Sequence, residues 1–314
     1  MQKAKVAVVG CGYWGKNLVR NFSELGALAA VVDGSQATAM RIAETYGVPA
    51  LGYEDVLASE EITGVVISVP AEAHAALVIR ALEAGKHVYV EKPIALSLED
   101  AYAMKAASDA SGKILMVGHL LRYHPAFEAL LELVNNGLIG TLKYAYSHRL
   151  SLGKFRVEEN ALWSFAPHDV SMLLALFGQS PTNVQHSGGS YIVPGIEDEN
   201  RVEMTFANGS RAHVFVSWLH PFKEHRLVVI GEAGMAVFED SAKPGEKLRL
   251  YRHVIDTSGR EPIATKAEPE MIMYEEGEPL RRECQHFLDC CATGQKPRTD
   301  ADEAIAVLRV LTAQ

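Results

Sequence analysis

A complete G-x-G-x-x-G stands in Val6-Ala7-Val8-Val9-Gly10-Cys11-Gly12-Tyr13-Trp14-Gly15, directly after a four-residue apolar run and before a helical pattern. That context constrains the chain more than anything else in it. Gly10 permits a tight strand-to-helix turn, Gly12 lets the backbone approach a pyrophosphate, and Gly15 lets the helix pack closely on the strand. The helix that follows aims its free N–H groups at the phosphates, and Tyr13 and Trp14 lie in the same turn.

A second apolar run, Leu28–Val32, ends in Asp33, eighteen residues beyond Gly15. This is close to the spacing of the acidic residue that accepts hydrogen bonds from an adenosine ribose. A carboxylate there would repel a 2′-phosphate, and Gly34 and Ser35 supply no arginine for one, so the pattern favours NAD over NADP.

With 314 residues the chain has room for two medium domains. Up to residue 120, short apolar runs at 6–9, 28–32, 64–68, 87–90 and 114–117 alternate with helical patterns at 37–46, 73–84 and 98–111. Ser97 with Asp100 marks the start of the last of these helices. This is an α/β reading, an N-terminal Rossmann-type doubly wound parallel sheet over residues 1–120. After a helix near 125–136 the rhythm lengthens to alternating segments at 142–150, 201–206, 211–218 and 227–230. Asn208-Gly209 reads as a two-residue hairpin, and 231–234 as another turn. Residues 121–314 therefore read as an α+β domain with a large open-faced mixed or antiparallel sheet, one strong helix at 167–177, and C-terminal helices from Leu280 that pack back on the first domain. The chain stops at Gln314 in mid-pattern, without a cap, as a truncated end would.

A formal net charge of −9 without a basic stripe argues against nucleic acid or an anionic membrane as partner and for a small molecule. No run reaches membrane-span length, and the N-terminus enters a strand too early for a signal peptide, so a cytoplasmic protein is expected. The four cysteines, Cys11, Cys284, Cys290 and Cys291, have no C-x-x-C spacing, and no metal site is expected.

In open parallel sheets, ligands sit outside the carboxyl ends of the strands. Three places there draw attention. In Ser68-Val69-Pro70, with His74 four residues on, a carbonyl and the proline are positioned to line a nicotinamide ribose; Pro70 is otherwise a helix-entry residue and His74 a first-turn surface group. In Glu91-Lys92-Pro93, a lysine delivered at the mouth of a buried strand loses its proton readily when partly desolvated; the plainer reading is a surface ion pair. In Trp163-Ser164-Phe165-Ala166-Pro167-His168-Asp169, proline and Asp suit a first helical turn, and a histidine at a helix N-terminus would stay neutral and able to accept a proton. His119, Arg122, Tyr123 and His124 follow the last strand of the first domain, where a cleft is expected. Arg149 and Arg156 are candidates to meet an anionic substrate.

The nucleotide fingerprint, Glu91-Lys92-Pro93, the segment 118–125 and the helix-borne His168 together resemble, in this order, the Gfo/Idh/MocA family of sugar oxidoreductases. The resemblance implies an NAD cofactor, with Lys92 contacting the reacting hydroxyl and His168 as acid/base. It also implies that Tyr13, Trp14, Ser68, Val69, Pro70, His74, Glu91, Arg122 and Trp163 belong to the cofactor site beside Gly10, Gly12, Gly15 and Asp33, and that His119, Tyr123, Arg149 and Arg156 belong to the substrate site. The family pattern D-x-G-x-H is altered to Ser164, Ala166 and His168, so the first carboxylate is missing, and Leu120-Leu121 replace the usual asparagine-arginine pair. This variant is similar to the branch acting on nucleotide-linked amino sugars and implies oxidation at C3 of UDP-N-acetylglucosamine in surface polysaccharide or lipid A biosynthesis. A nucleotide-sugar ketoreductase, a free polyol or inositol dehydrogenase, and a non-catalytic NAD-binding sensor are the alternatives. Which of Lys92 and His168 is the base stays open. An open sheet face exposing Val214, Val216 and Trp218 would drive assembly into a homodimer or homotetramer.

Overall fold

The computed structural model describes residues 4–313. The chain divides into two compact units, Met1–Leu120 with Glu278–Leu308, and Leu121–Gly277 with Arg309–Gln314. The segment from Glu278 to Leu308 thus belongs with the first unit.

The first unit alternates β1 (Val6–Val9), α1 (Gly15–Glu24), β2 (Leu28–Val32), α2 (Gln36–Tyr46), α3 (Tyr53–Ala58), β3 (Gly64–Ile67), α4 (His74–Glu83), β4 (His87–Glu91), α5 (Leu98–Ser111) and β5 (Leu115–Gly118). The strands form one parallel sheet in the order β2-β1-β3-β4-β5. Every residue of β1 and β3 is buried, which is why these strands read as unbroken apolar runs. The order reverses between β1 and β3, and a ligand crevice opens outside the carboxyl ends at such a switch point. Ser97 caps α5 by accepting from the Asp100 amide at 3.1 Å.

In the second unit come α6 (Pro125–Asn135), β6 (Leu142–Leu152), α7 (Ala161–Phe177), β7 (Asn183–Gly189), β8 (Glu199–Thr205), β9 (Arg211–Ser217), β10 (Leu219–Gly231), β11 (Met235–Glu239), β12 (Leu248–Tyr251), β13 (Val254–Asp256), β14 (Ile263–Thr265) and β15 (Glu270–Met271). The main sheet is mixed, in the order β15-β12-β11-β10-β6-β9-β8-β7, with β6 and β9 its one parallel pair. The chain closes with α8 (Pro279–Thr293) and α9 (Ala301–Thr312). Residues 299–300 run beside β5, where the Val117 amide donates to the Thr299 carbonyl at 2.8 Å, which ties this segment to the first unit's sheet.

Three expectations are corrected. The helix expected over 167–177 begins at Ala161, where the Asn160 side chain accepts from the Trp163 amide at 3.1 Å. Pro167 lies inside it, not at its start. Proline reads as a start signal because it suits the first turn, yet the Asn160 cap is itself a start signal and outweighs it. The turn at Asn208-Gly209 has three residues, 207–209, closed by Phe206 and Ser210, with Gly209 in the left-handed region at φ 82°. Val214, Val216 and Trp218, expected on an exposed face, are buried: β9 packs on α7, and Trp218, just after it, donates its indole N–H to Asp198 Oδ1 at 2.6 Å. Tyr146, His148, His213 and Phe215 stand on the other face, with Tyr146 and His213 stacked at 5.2 Å.

Candidate active site

The turn after β1 is built so that only glycine fits at two positions. Gly10 has φ +88°, and a Cβ on it would overlap the Ser68 carbonyl at the end of β3. A Cβ on Gly15 would overlap the Gly10 carbonyl. A Cβ on Gly12, in contrast, would meet nothing within 4 Å. Close packing behind the turn with open space in front is what a pyrophosphate requires, so these residues fit a dinucleotide. Tyr13 is exposed, and Trp14 donates its indole N–H to Glu91 Oε1 at 2.6 Å. Cys11 contributes a thiol that burial, with the nearby Asp33 charge, pushes up to about 11. It is a small turn residue, not a reactive one.

Asp33 stands where the ribose reading needs it and also holds the turn. Its Oδ2 accepts from the Cys11 amide at 2.7 Å and its Oδ1 from the Ser35 amide at 2.8 Å. A carboxylate has about four acceptor sites, so capacity is left for ribose hydroxyls. A cavity of about 600 Å³ opens beside it, lined by Asp33, Gly34, Gln36, Met40 and Leu51 among others.

His74 is buried, not a surface group. Its Nδ1 lies 2.9 Å from the Pro93 carbonyl oxygen and its Nε2 3.0 Å from that of Val69. Burial lowers its pKa, and a neutral imidazole donates to only one of the two. It therefore joins the ends of β3 and β4, placing Ser68-Val69-Pro70 beside Glu91-Lys92-Pro93. Glu91 is buried as well, so it is not half of a surface ion pair. Burial raises its carboxyl, against the opposing effects of the Trp14 hydrogen bond and the Lys92 charge.

His119 is buried, with Nδ1 2.6 Å from Glu303 of α9. Tyr123 is buried, and Arg122 Nη1 donates to the Ser171 carbonyl of α7 at 3.4 Å. Arg149, expected to meet a substrate anion, instead points inward from β6. Its Nε and Nη2 lie 2.6 and 3.2 Å from the Asp169 carboxylate, and Ser147 also donates to that carboxylate. Strand alternation is the cause: 145, 147 and 149 share the face that packs on α7. Arg156 is exposed and pairs with Glu159 at 2.7 Å.

His168 is the eighth residue of α7, two turns past the cap, where the helix dipole no longer favours a neutral imidazole. Ser164 precedes it by four residues, one turn away on the same helix face, and is buried. Trp163 sits in the first turn. Among the described residues, no group of three His, Cys, Asp or Glu side chains is arranged to hold a metal ion, and no helix is long and apolar enough to cross a membrane. The sequence reading missed Glu283 and the partner of Arg149. The first carried a signal, a lone acid inside the apolar stripe of Leu280, Cys284 and Phe287.

Two family models match the chain. Residues 4–119 match the oxidoreductase family with an NAD-binding Rossmann fold, and residues 127–237 match the Gfo/Idh/MocA C-terminal domain. Over 312 residues the chain is 28% identical to UDP-N-acetylglucosamine 3-dehydrogenase of Acidithiobacillus ferrooxidans, covering 98% of this chain and 94% of that one. Over 322 residues it is 27% identical to scyllo-inositol 2-dehydrogenase (NAD(+)) of Bacillus subtilis, covering 96% and 91%. The solved structure of the Acidithiobacillus enzyme superposes with a TM-score of 0.87 at 23% identity, covering 99% of this chain and 96% of that chain, which shows the shared fold.

Proposed function

This chain belongs to the Gfo/Idh/MocA family of oxidoreductases, and from that premise we propose that it oxidises the C3 hydroxyl of a nucleotide-linked amino sugar, UDP-N-acetylglucosamine, to a ketone with NAD. The observation that carries the substrate is the end-to-end similarity to a UDP-N-acetylglucosamine 3-dehydrogenase. Ser164 supports it, since a hydroxyl stands one turn before His168 where the common family pattern has a carboxylate. A 3-keto sugar suits later conversion to a 3-amino sugar of surface polysaccharide or lipid A, in the cytoplasm.

NAD, when bound, supplies the two-electron acceptor for the hydride leaving the sugar carbon. The residues assigned to hold it are Gly10, Gly12 and Gly15 at the pyrophosphate and Asp33 at the ribose, with the loop ends at Ser68–Pro70 and Glu91. In this reading Lys92 Nζ and His168 serve the hydroxyl proton, one removing it and the other stabilising the oxygen as charge develops. Asp169 and Arg149 anchor the helix that bears His168.

Incubation with NAD should convert UDP-N-acetylglucosamine to a product lacking one hydrogen pair by mass spectrometry, with NADH formed in equal amount. The similarity to an inositol dehydrogenase supports a free polyol as second reading, and turnover of inositol alone would select it. Lys92→Ala and His168→Ala should each lose on the order of a hundredfold in kcat while still binding NAD, with losses well short of additive in the double variant. Near-normal turnover in either removes that residue from the mechanism.

A further inference from the structure

One cluster of buried ionisable groups in the first unit reaches from Glu91 to Tyr89 and Glu283, two residues that this chemistry leaves unused. Glu91 at the end of β4 is 9% exposed, and Glu283 on α8 is fully buried. The Tyr89 hydroxyl oxygen lies between them, 3.2 Å from Glu91 Oε1 and 3.0 Å from Glu283 Oε2. Room is kept for this cluster by Gly118, paired with Glu91 across β4 and β5, where a Cβ would collide with the Tyr89 hydroxyl and crowd the Glu91 carboxylate.

A phenol has one proton to donate. For both contacts to be hydrogen bonds, one carboxyl must itself be protonated and donate to the phenol oxygen. The surroundings decide which one. Glu91 Oε1 accepts from Trp14 at 2.6 Å, Glu91 Oε2 accepts from the Lys92 amide at 3.3 Å, and the Lys92 charge acts on the same carboxylate. Among the described residues Glu283 Oε1 has no hydrogen-bond partner, so an ionised Glu283 would be an uncompensated buried charge. The ionisable groups nearest Glu283 are Tyr89, Glu91 and the Cys284 thiol. Arg20 and Glu24 of α1, which packs on α8, pair at the surface with Glu278 and Arg281. Burial, followed by the Glu91 charge, pushes the Glu283 carboxyl well up.

We propose that Glu283 is a positioning residue for Lys92: as a neutral acid it donates to Tyr89, Tyr89 donates to Glu91, and the Glu91 carboxylate so fixed ties the glycine-rich turn, through Trp14, to the Lys92 backbone. The inference rests on the reading of Lys92 as a proton-transfer group. Hydrogen bonds in series polarise one another, so the acid at the far end strengthens the hold on Glu91.

Three variants separate this relay from ordinary packing. Glu283→Gln keeps a donor for the Tyr89 oxygen, Glu283→Leu removes it, and Tyr89→Phe breaks both links. Infrared spectra of the chain without cofactor or substrate should show, at neutral pH, the carbonyl stretch of a buried protonated carboxylic acid, absent from both Glu283 variants. With UDP-N-acetylglucosamine and NAD, Glu283→Gln should stay within about twofold of the parent kcat. Glu283→Leu and Tyr89→Phe should lose about tenfold, and the acid limb of their pH profiles should move to higher pH, because a less well-supported Glu91 binds its proton more readily. A missing carboxylic acid band, a Gln variant as impaired as the Leu variant, or a Leu variant with the parent profile overturns the proposal. Should no sugar be turned over, the reading of Lys92 fails by itself. The relay is then judged by the infrared band and by the Trp14 indole N–H resonance, which should shift in Glu283→Leu and Tyr89→Phe but not in Glu283→Gln.

Discussion

Asp33 does two jobs with one carboxylate, and their separation gives a measurable signature. Its bonds to the Cys11 and Ser35 amides hold the turn, while in the proposed ribose role its charge would repel a 2′-phosphate. NAD should therefore bind at least about tenfold more tightly than NADP, about 1.4 kcal/mol. Asp33→Asn removes the charge and keeps an acceptor, so it should narrow the gap chiefly by improving NADP; titration of both cofactors against both proteins decides it, and equal parent affinities would sink the idea. Glu283 makes a second prediction. Its folded-state pKa is raised above the ordinary 4.5, so the folded chain holds a proton that the unfolded chain releases above that pH. Stability from this site is complete below about pH 4.5 and is lost as pH rises, at up to about 1.4 kcal/mol per unit. Glu283→Gln has no such proton to hold. Its Tm should gain on the parent as pH rises from about 5 to about 8; a difference that does not change with pH would contradict a protonated Glu283.

At the scale of elements, α7 shows which local signals can be trusted. The Asn160 cap and the apolar content of the helix were readable, but Pro167 drew the expected start six residues too late. The ion pair between Asp169 on the helix and Arg149 on β6, both under a tenth exposed, links α7 to the sheet beside the helix's apolar packing. Removing one partner of such a pair strands the other charge in the interior. Asp169→Leu should destabilise the chain by about 3–5 kcal/mol, and Arg149→Met in the same chain should recover much of that. Urea unfolding of the single and double variants provides the measurement. A mild single variant would show that Arg149 escapes to water or to another partner, such as His225, whose Nδ1 lies 3.2 Å from Arg149 Nη1.

For the whole molecule, the main sheet has one face against α7 and the other bearing Tyr146, His148, His213 and Phe215, with Arg201 over the Phe215 ring at 5.0 Å. This mixture of rings and charges suits a second copy of the same chain, because Arg201 and Glu203 on β8 offer both signs for a two-fold contact. Light scattering should give a dimer or tetramer, and Phe215→Glu should dissociate it, because a charge would be buried unpaired at the contact. A parent protein that runs as a monomer rules the idea out.

Local sequence was enough for the first unit's sheet, its glycine-rich turn and the place of Asp33. These depend on neighbours within one strand–turn–helix segment, where a missing Cβ or an apolar run has one reading. It also located Lys92 at a strand mouth and the mixed sheet of the second unit. Tertiary structure alone decided the rest, because those choices are made by partners far along the chain. Alternation says that Val214 and Phe215 face opposite ways, but only the packing of α7 says which side is interior. Arg149 is an anion-seeking charge until Asp169, twenty residues on, consumes it. Glu91 is half of a surface pair until Trp14, Tyr89 and a helix almost two hundred residues later enclose it, and burial raises its carboxyl against the pull of its hydrogen bonds.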